Sequence, residues 1–250
     1  MSPGLLLSAD DPQPAIITNP HGASAILLVG DHAGRAVPAK LGDLGVRPGD
    51  MDQHIAWDIG IAGLGAKLSA LLDATFIHQA YSRLVIDCNR RPDAADAAPA
   101  ISDGVTIPAN VGLTAADLSS RIDEIAAPYH DAIAAELDAR AGRQTLIVSL
   151  HSFTPVMAGF VRPWRYGVLH RGDSELSHRV LALLQDALGE AAGDNAPYAM
   201  DGRDHTIPAH ADPRGLDYLE LEVRQDLIAD EAGQDEAAGF IADIVIRATR

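Results

Sequence analysis

The sequence is poor in the features that mark several classes of protein. Its 250 residues include a single cysteine, Cys88, so one chain cannot build a disulfide framework, which fits a reducing compartment. Lys and Arg number 19 against 35 Asp and Glu, and the resulting net charge of −16 argues against nucleic acid, because a phosphate backbone binds a basic surface. No apolar run approaches the roughly 20 residues of a membrane span, and the opening "MSPGLLLSADDP" lacks the basic start and apolar stretch of a signal peptide. We therefore predict a cytoplasmic protein that binds neither nucleic acid nor membranes.

The remaining composition is that of an ordinary globular chain. Hydrophobic residues make up 47%, and the length fits one large α/β domain over residues 1–250 better than two small ones. Residues 1–22 are rich in Pro, Asp and Asn and predict an irregular lead-in. We find no internal repeat and no low-complexity tract.

Strand and helix patterns alternate along the chain. The predicted strands are residues 25–29, "TFIHQ", "RLVID", residues 145–149, "YGVLH" and "DYLELEVRQDLI". The predicted helices are "HIAWDIGIAGLGAKLSALL", a long helix from Thr114 to Gly142 with a bend at Pro128, "SELSHRVLALLQDALG" and "QDEAAGFIADIVIRAT". This alternation predicts a mixed, mostly parallel sheet covered by helices on both faces.

Polar groups stand at the ends of four of the apolar strand patterns, in "VGDHAGR", "YSRLVIDCNRRP", "SLHSF" and "LELEVRQD". Each stretch alone is a weak signal, since a histidine after a strand is more often structural. Together they supply histidines, arginines and glutamates, which meet at one crevice if the strands are neighbours. Buried charges are costly unless they are paired or bind a metal.

The same stretches resemble the N-formylglutamate amidohydrolase family, which is related to the zinc carboxypeptidases. The shared features are the "DHAG" loop, "YSRLVIDCNR", the "HS" of "SLHSF" and "EVRQDLI", in this order from about Val29 to Ile228. The resemblance implies a zinc-exopeptidase-like α/β fold. It also implies a hydrolase that cleaves the N-acyl bond of a small amino acid, such as N-formyl-L-glutamate, and a substrate with a carboxylate.

The resemblance also implies a divalent metal, with zinc the first choice. The family position of the first ligand falls on His32 and that of the second histidine on His151. Carboxypeptidases carry a glutamate three residues after the first histidine, but Arg35 stands there in this chain. By spacing, a family aspartate falls on Asp58, which completes a set of two histidines and one carboxylate. Asp31, Asp52 and His54 remain alternatives for this ligand, and the ligand types also suit cobalt, manganese or iron.

The catalytic assignment follows from the glutamate-bearing strand. Glu220, Glu222 and Arg224 alternate with apolar residues and are predicted to share one face. The family position favours Glu222 as the general base that takes a proton from a metal-activated water. Arg83 is predicted to stabilise the oxyanion.

Four residues are predicted to bind the substrate. Asn89 and Arg90 suit a carboxylate, because arginine offers a bidentate fork. His205 lies in a Gly- and Pro-rich loop that suits a lid over the substrate, and Arg224 follows the catalytic glutamate.

Several alternatives stay open. The glutamates and arginines can form a purely structural ion network, and Arg90 and Arg91 can form a solvated turn. Cys88 alternates away from Asp87 and Asn89, so we do not expect it to be a nucleophile. A deacylase or desuccinylase of the same fold, or a metal-free carboxylate-binding protein, remains an alternative function.

Overall fold

Seven strands form the central sheet of the computed structural model, which describes residues 5–250. The strands of this sheet are β1 (Ala15–Thr18), β2 (Ile26–Gly30), β3 (Thr75–Gln79), β6 (Leu146–Phe153), β9 (Tyr166–Leu169), β10 (Ala192–Asp194) and β11 (Asp217–Arg224). Two small hairpins stand apart from it, β4 (Ile101–Ser102) with β5 (Val105–Thr106), and β7 (Val156–Met157) with β8 (Phe160–Val161).

The order in the sheet is β1-β3-β2-β6-β11-β9-β10. The four strands β3, β2, β6 and β11 run parallel, whereas β1 and β9 are antiparallel to their neighbours in this group. The prediction of a mixed, mostly parallel sheet is confirmed. The adjacent strands β2, β6 and β11 end at the same edge, and this brings three of the polar stretches together.

Helices cover both faces of the sheet. They are α1 (Ile61–Leu72), α2 (Ala115–Arg121), α3 (Ala127–Ala139), α4 (Glu175–Leu188), α5 (Thr206–His210) and α6 (Glu231–Ala248). Helices α1, α4 and α6 pack together in one apolar cluster with one face of the sheet, and α3 contributes to a second cluster on the other face. Among residues 5–250, no helix is long and apolar enough to cross a membrane.

The long predicted helix from Thr114 is interrupted in its middle. Thr114 and Asp117 form the predicted capping box at the start of α2. A π-helical turn, Ile122–Ala126, then separates α2 from α3, and Pro128 lies in the first turn of α3. Proline has no N–H to donate to the preceding turn, so it is tolerated where a helical segment begins.

The beginning of the chain differs from the predicted irregular lead-in. Residues 15–18 form the edge strand β1, which pairs antiparallel with β3 from Ala15 opposite Gln79 to Thr18 opposite Phe76. The first four residues of the lead-in lie outside the described part of the chain. The backbone hydrogen bonds of β3 outweigh the turn-favouring residues that surround this short segment.

The segment "RLVID" is not a strand, contrary to the prediction. It forms buried turns, and the Ser82 hydroxyl donates to the carbonyl of Ala56 at 2.7 Å and accepts from the N–H of Leu84 at 3.1 Å. The apolar run is buried because it fills the second cluster. Burial alone does not distinguish a turn from a strand in so short a run.

Helix α1 begins at Ile61, seven residues later than predicted from His54. Gly60 precedes it with φ of 87°, a left-handed conformation that favours glycine. Inside the helix, a Cβ on Gly65 would lie 2.2 Å from Cζ of Phe76, so this glycine lets the helix approach β3. The non-helical residues before α1 carry Asp58 to the edge of the sheet.

Candidate active site

A cavity of about 300 Å³ lies at the carboxyl ends of β2, β6 and β11. It is large enough for a small metabolite. Seven of the predicted site residues line it: His32, Asp58, Arg83, Asn89, Arg90, His151 and Glu222. The crevice predicted from the strand-end motifs is therefore present.

His32, Asp58 and His151 face one point. One ligand atom from each lies within 4.8 Å of the others. Oδ2 of Asp58 is 3.6 Å from Nδ1 of His32 and 3.1 Å from Nδ1 of His151. The N–H of Asp58 donates to the carbonyl of His32 at 2.8 Å, and the N–H of Ser152 donates to Oδ2 of Asp58 at 3.1 Å. Backbone contacts thus hold the aspartate between the two histidines.

Each histidine contacts a second carboxylate through its Nε2 atom. Nε2 of His32 lies 2.7 Å from Oδ1 of Asp87, and Nε2 of His151 lies 3.5 Å from Oδ2 of Asp31 and 3.1 Å from Oγ of Ser149. A proton on each Nε2 leaves each Nδ1 free to bind, and Nδ1 of His32 has no hydrogen-bond partner in residues 5–250. Metal-binding histidines usually donate their other ring N–H to a carboxylate in this way. The three residues therefore fit a divalent metal.

The charges of this group depend on one another. Burial by itself would raise the pKa of Asp58, but the charges and hydrogen bonds of His32 and His151 outweigh it and hold that pKa well below its usual range. Burial would lower the pKa of His151, but hydrogen bonds to Asp31 and Asp58 raise it well above the ordinary value. Without a metal, the group is stabilised as an ion network.

Arg83 joins this network at the wall of the cavity. Its Nη2 donates to Oδ2 of Asp87 at 2.7 Å, and its Nη1 lies 3.5 Å from Oδ1 of Asp58. The side chain is 27% exposed, so part of its guanidinium faces the cavity. Two carboxylates fix its position before a substrate arrives.

Glu220 and Glu222 both line the cavity, as the alternation of β11 predicts. In the parallel pair with β6, Glu220 lies opposite Ser149 and Glu222 opposite His151. Oε2 of each glutamate is buried and has no hydrogen-bond partner within the described chain. Burial raises the pKa of Glu220 to about 8 and that of Glu222 to about 7. A carboxyl with a pKa near 7 is suited to accept and return a proton.

Asn89 and Arg90 lie at the other side of the cavity. Oδ1 of Asn89 accepts from the backbone N–H groups of His205 and Thr206, at 3.0 Å each. Arg90 lies 3.3 Å from a carboxylate oxygen of Asp96 and 3.4 Å from one of Asp204. The guanidinium is thus held between two carboxylates at the cavity wall.

Two predicted substrate-binding residues lie elsewhere. Neither His205 nor Arg224 lines the cavity. The ring of His205 packs edge-on against His130 with 4.9 Å between the ring centres. Arg224 donates to Asp226 at 2.7 Å and to the carbonyl of Trp164 at 3.4 Å. Glu222 is the last residue of β11 that lines the cavity. Arg224, two positions later, ends the strand, and the chain turns away there.

The other candidates for the third ligand have partners of their own. Asp52 forms a surface ion pair with Arg35, the residue that replaces the carboxypeptidase glutamate, and His54 lies 3.2 Å from a carboxylate oxygen of Asp103. Asp31 stands behind His151 and accepts hydrogen bonds from Tyr129 and Thr206 at 2.9 Å and 2.7 Å.

Cys88 is buried, and its Sγ accepts from Nε2 of Gln79 at 3.2 Å. Burial raises the pKa of the thiol well above its ordinary value, which opposes thiolate chemistry.

Three residues at the site had no role in the sequence analysis. Asp87 orients His32, although it lies in the middle of the recognised "VIDCNRR" motif. Tyr198 and Asp204 line the cavity from the loop before β11. Asp204 precedes His205 in the Gly- and Pro-rich loop that the sequence marks as suited to a lid, although neither Asp204 nor Tyr198 was itself predicted.

Comparison with known proteins identifies the family of the chain. A family model of N-formylglutamate amidohydrolases matches residues 24–229. The chain belongs to this family, and it is a hydrolase that acts on a linear amide bond. A search of curated proteins finds no match.

Similar solved structures include two that cover most of this chain. The gene product Atu2144 from Agrobacterium tumefaciens is 35% identical, with a TM-score of 0.94 and 98% of each chain covered. The N-formylglutamate amidohydrolase from Ralstonia eutropha JMP134 is 18% identical, with a TM-score of 0.63 over 95% of this chain and 96% of that one. The second likeness shows a shared fold.

Proposed function

We propose that the protein is a metal-dependent amidohydrolase that cleaves the N-acyl bond of a small N-acyl amino acid. The N-formyl group is the acyl group that the family indicates, and N-formyl-L-glutamate is the first substrate to test. The proposal rests on the group of His32, Asp58 and His151. Each of the two histidines contacts a further carboxylate through its Nε2 atom. This group adjoins Glu222 in one cavity.

His32, Asp58 and His151 would hold the metal, through the two Nδ1 atoms and a carboxylate oxygen. Zinc is the first choice for two histidines and one carboxylate with a position left open. When bound, a divalent metal supplies Lewis-acid chemistry, which polarises the scissile carbonyl and lowers the pKa of water. Asp87 and Asp31 keep the ring nitrogens oriented for binding.

Glu222 is the general base in this proposal. Its carboxylate takes a proton as the oxygen of water bonds to the acyl carbon. The carbon–nitrogen bond then breaks, and the same carboxyl returns the proton to the leaving nitrogen. The products are the carboxylic acid, formate for an N-formyl group, and the free amino acid.

Arg83, Asn89 and Arg90 bind and orient the substrate. Arg83 presents the N–H groups that Asp87 and Asp58 leave unused, and these stabilise the oxyanion that develops on the acyl oxygen. Asn89 and Arg90 lie where they can hold the α-carboxylate, with Arg90 exchanging part of its contact with Asp96 for the substrate.

The test has two measurements on the purified protein. Release of formate from N-formyl-L-glutamate and other N-formyl amino acids is measured before and after chelation, and after return of Zn²⁺, Co²⁺, Mn²⁺ or Fe²⁺. The protein-bound metal is quantified in parallel. We expect about one metal per chain and activity that chelation removes and metal restores.

Other results would change the assignment. Turnover of N-succinyl or N-acetyl amino acids but not of N-formyl compounds would indicate a deacylase with another acyl group. The ion network of His32, Asp58 and His151 is also compatible with a metal-free binding protein. A chain that binds N-acyl amino acids but takes up no metal would support that function instead.

A further inference from the structure

Tyr198 lines the cavity with a hydroxyl group that the proposed reaction does not use. Its Oη accepts a hydrogen bond from Nη2 of Arg162 at 3.0 Å. Within residues 5–250 this hydroxyl donates to no acceptor, so its proton is available to a ligand. The side chain is 41% exposed, and a bound substrate can therefore reach it. A polar group with a spare donor at the wall of a cavity indicates a contact with the ligand.

Arg162 is a buried cation that holds this hydroxyl in place. It is 5% exposed, and its Nη1 lies 3.3 Å from both the carbonyl oxygen and Oγ1 of Thr154, the residue that follows β6. The guanidinium lies over the ring of Tyr198, at 4.8 Å from the ring centre, and over that of Phe153, at 5.7 Å. The two aromatic faces partly compensate the buried charge. Because its hydroxyl accepts from a cation, Tyr198 is polarised and becomes a stronger donor.

The chain approaches Glu222 closely just before it reaches Tyr198. In the antiparallel pair of β9 and β11, Gly167 lies opposite Glu222. A Cβ on Gly167 would overlap the carbonyl oxygen of Ala196 and would lie 3.4 Å from Cβ of Glu222. The absence of a side chain at Gly167 thus lets the segment of Ala196 pack onto the strands beside the proposed base. Tyr198 follows two residues later.

The charges around Tyr198 are those of the proposed catalytic groups. Burial raises the pKa of Tyr198, and the negative charges of Glu222 and Asp58 raise it further. The hydroxyl is therefore protonated at neutral pH and acts as a hydrogen-bond donor. Asn89, which is placed to hold the substrate carboxylate, lies against the start of α5 instead. Tyr198 thus lies at the end of the cavity where the acyl group would react.

The cavity has little positive charge to support an oxyanion. Eight carboxylate side chains line it, against three guanidinium groups. Among these three, Arg83 is placed for the oxyanion, and Asp87 and Asp58 already take up part of its N–H groups. Arg162 brings a further cation close to the cavity, and the hydroxyl of Tyr198 connects the two. A second donor would share the negative charge that develops on the acyl oxygen.

We propose that Tyr198 donates a hydrogen bond to the acyl oxygen of the substrate and that Arg162 positions its hydroxyl. This inference rests on the proposed hydrolysis. As the oxygen of water bonds to the acyl carbon, the acyl oxygen gains negative charge and the hydrogen bond from Tyr198 strengthens. The proton stays on the tyrosine oxygen throughout. Tyr198 therefore contributes, with Arg83, to stabilisation of the transition state more than to binding of the substrate.

Tyr198→Phe tests the hydroxyl, because it removes one oxygen and keeps the ring. kcat and KM of the metal-loaded enzyme are measured for the best substrate of the wild type, with N-formyl-L-glutamate as the first candidate. We expect kcat to fall by about 10- to 100-fold with little change in KM, since one oxyanion donor contributes up to about 10²–10³-fold and Arg83 remains.

Tyr218→Phe is the matched control. The ring of Tyr218 also lies beside an arginine, with its centre 5.3 Å from Cζ of Arg171, and its hydroxyl is hydrogen-bonded to Asp173. Tyr218 does not line the cavity. The control should therefore keep the kcat and KM of the wild type.

A double variant tests whether Arg162 acts through the hydroxyl. Arg162→Met should lower kcat in the wild type but have little further effect in Tyr198→Phe, because a positioning residue has no role once the hydroxyl is gone. Equal losses in the two backgrounds would show that Arg162 supports the fold and not the hydroxyl. If Arg162→Met does not fold, Arg162→Lys replaces it in the same comparison, since lysine lacks the fork that reaches both Thr154 and Tyr198.

Binding measurements keep this inference apart from the proposed function. N-methylphosphonyl-L-glutamate carries a tetrahedral phosphorus in place of the acyl carbon, whereas L-glutamate has no acyl oxygen. Tyr198→Phe should bind the phosphonyl compound about 10-fold more weakly than the wild type and bind L-glutamate equally well. This result would support the contact even if no compound is hydrolysed and the proposed function fails.

Other results would overturn the role of Tyr198. A raised KM with unchanged kcat in Tyr198→Phe would show that the hydroxyl binds the substrate before the reaction and does not support the oxyanion. Unchanged kinetics and unchanged binding of the phosphonyl compound would show that it makes no contact. If the wild type neither hydrolyses an N-acyl amino acid nor binds the phosphonyl compound, both the proposed function and this inference are wrong.

Discussion

Replacement of Glu222 by glutamine separates a catalytic carboxylate from a structural one. Glutamine keeps the shape of the side chain and removes the base. A general base contributes about 10²–10⁴-fold in rate, so Glu222→Gln should lower kcat by that factor, which corresponds to about 3–5 kcal/mol in the activation barrier. Metal content should stay that of the wild type, since Glu222 is not among the three grouped ligands.

The structure also predicts the effect of this change on stability. Burial raises the pKa of Glu222 to about 7 from an ordinary value near 4.5. A carboxyl whose pKa is raised by folding destabilises the folded state when it ionises, so the cost is absent below about pH 4.5 and grows as the pH rises to 7. The metal-free Glu222→Gln protein should therefore be about 3 kcal/mol more stable than the metal-free wild type at pH 8. At pH 4.5 the two should differ little.

The assay is kcat at saturating substrate, with denaturant unfolding of the chelated proteins at both pH values. Glu220→Gln is the matched control, because it lies on the same strand and face and is equally buried. Its kcat should fall much less than that of Glu222→Gln. Equal losses, or a larger loss for Glu220→Gln, would show that the base is assigned to the wrong glutamate. Full activity in both variants would refute the mechanism.

Three further predictions concern the metal, the substrate and acid stability. His151→Ala should lose metal and activity but stay folded by circular dichroism, and Asp58→Ala should do the same; metal-replete, active Asp58→Ala protein would exclude this ligand. Arg90→Lys should raise KM for a free-carboxylate substrate, since lysine lacks the bidentate fork, and leave KM unchanged for the α-amide of that substrate. If the wild type and Arg90→Lys have equal KM values for the acid, the proposed contact between Arg90 and the substrate carboxylate is wrong. Burial and the neighbouring His130 lower the pKa of His210 to about 4, so the neutral ring favours folding above pH 6.5 and this contribution is lost as the pH falls toward 4. Stability from pH 7 to 4.5 should drop about 2 kcal/mol more in the wild type than in His210→Gln, measured by urea unfolding; parallel curves would show that His210 is not perturbed.

Local sequence patterns predicted strands and helices correctly where a single physical preference determined the structure. The buried strands and the capped helices follow from apolar periodicity and from side chains that satisfy the free N–H groups at helix starts, as Thr114 and Ser174 do. The patterns failed where tertiary contacts outweighed local preference. The run "RLVID" is apolar because it is buried, yet the hydrogen bonds of Ser82 turn it away from the sheet.

Side chains two residues apart in a strand point to the same face, so Glu220 and Glu222 share a face. This relation holds for any sheet in which β11 takes part. The sequence by itself therefore determined which residue types stand at the strand ends, and the order of the family motifs along the chain. It also carried the excess of acidic residues that lines the cavity.

Only the tertiary structure decided which partner each of these groups meets. Asp87 reaches His32 across 55 residues of chain, and Asp204 reaches Arg90 across 114. No sequence spacing encodes such contacts, because they depend on the order of strands in the sheet and on where the loops return. For the same reason, Arg224 was predicted to face the substrate with Glu222, but the strand ends at this residue and its guanidinium binds Asp226 instead.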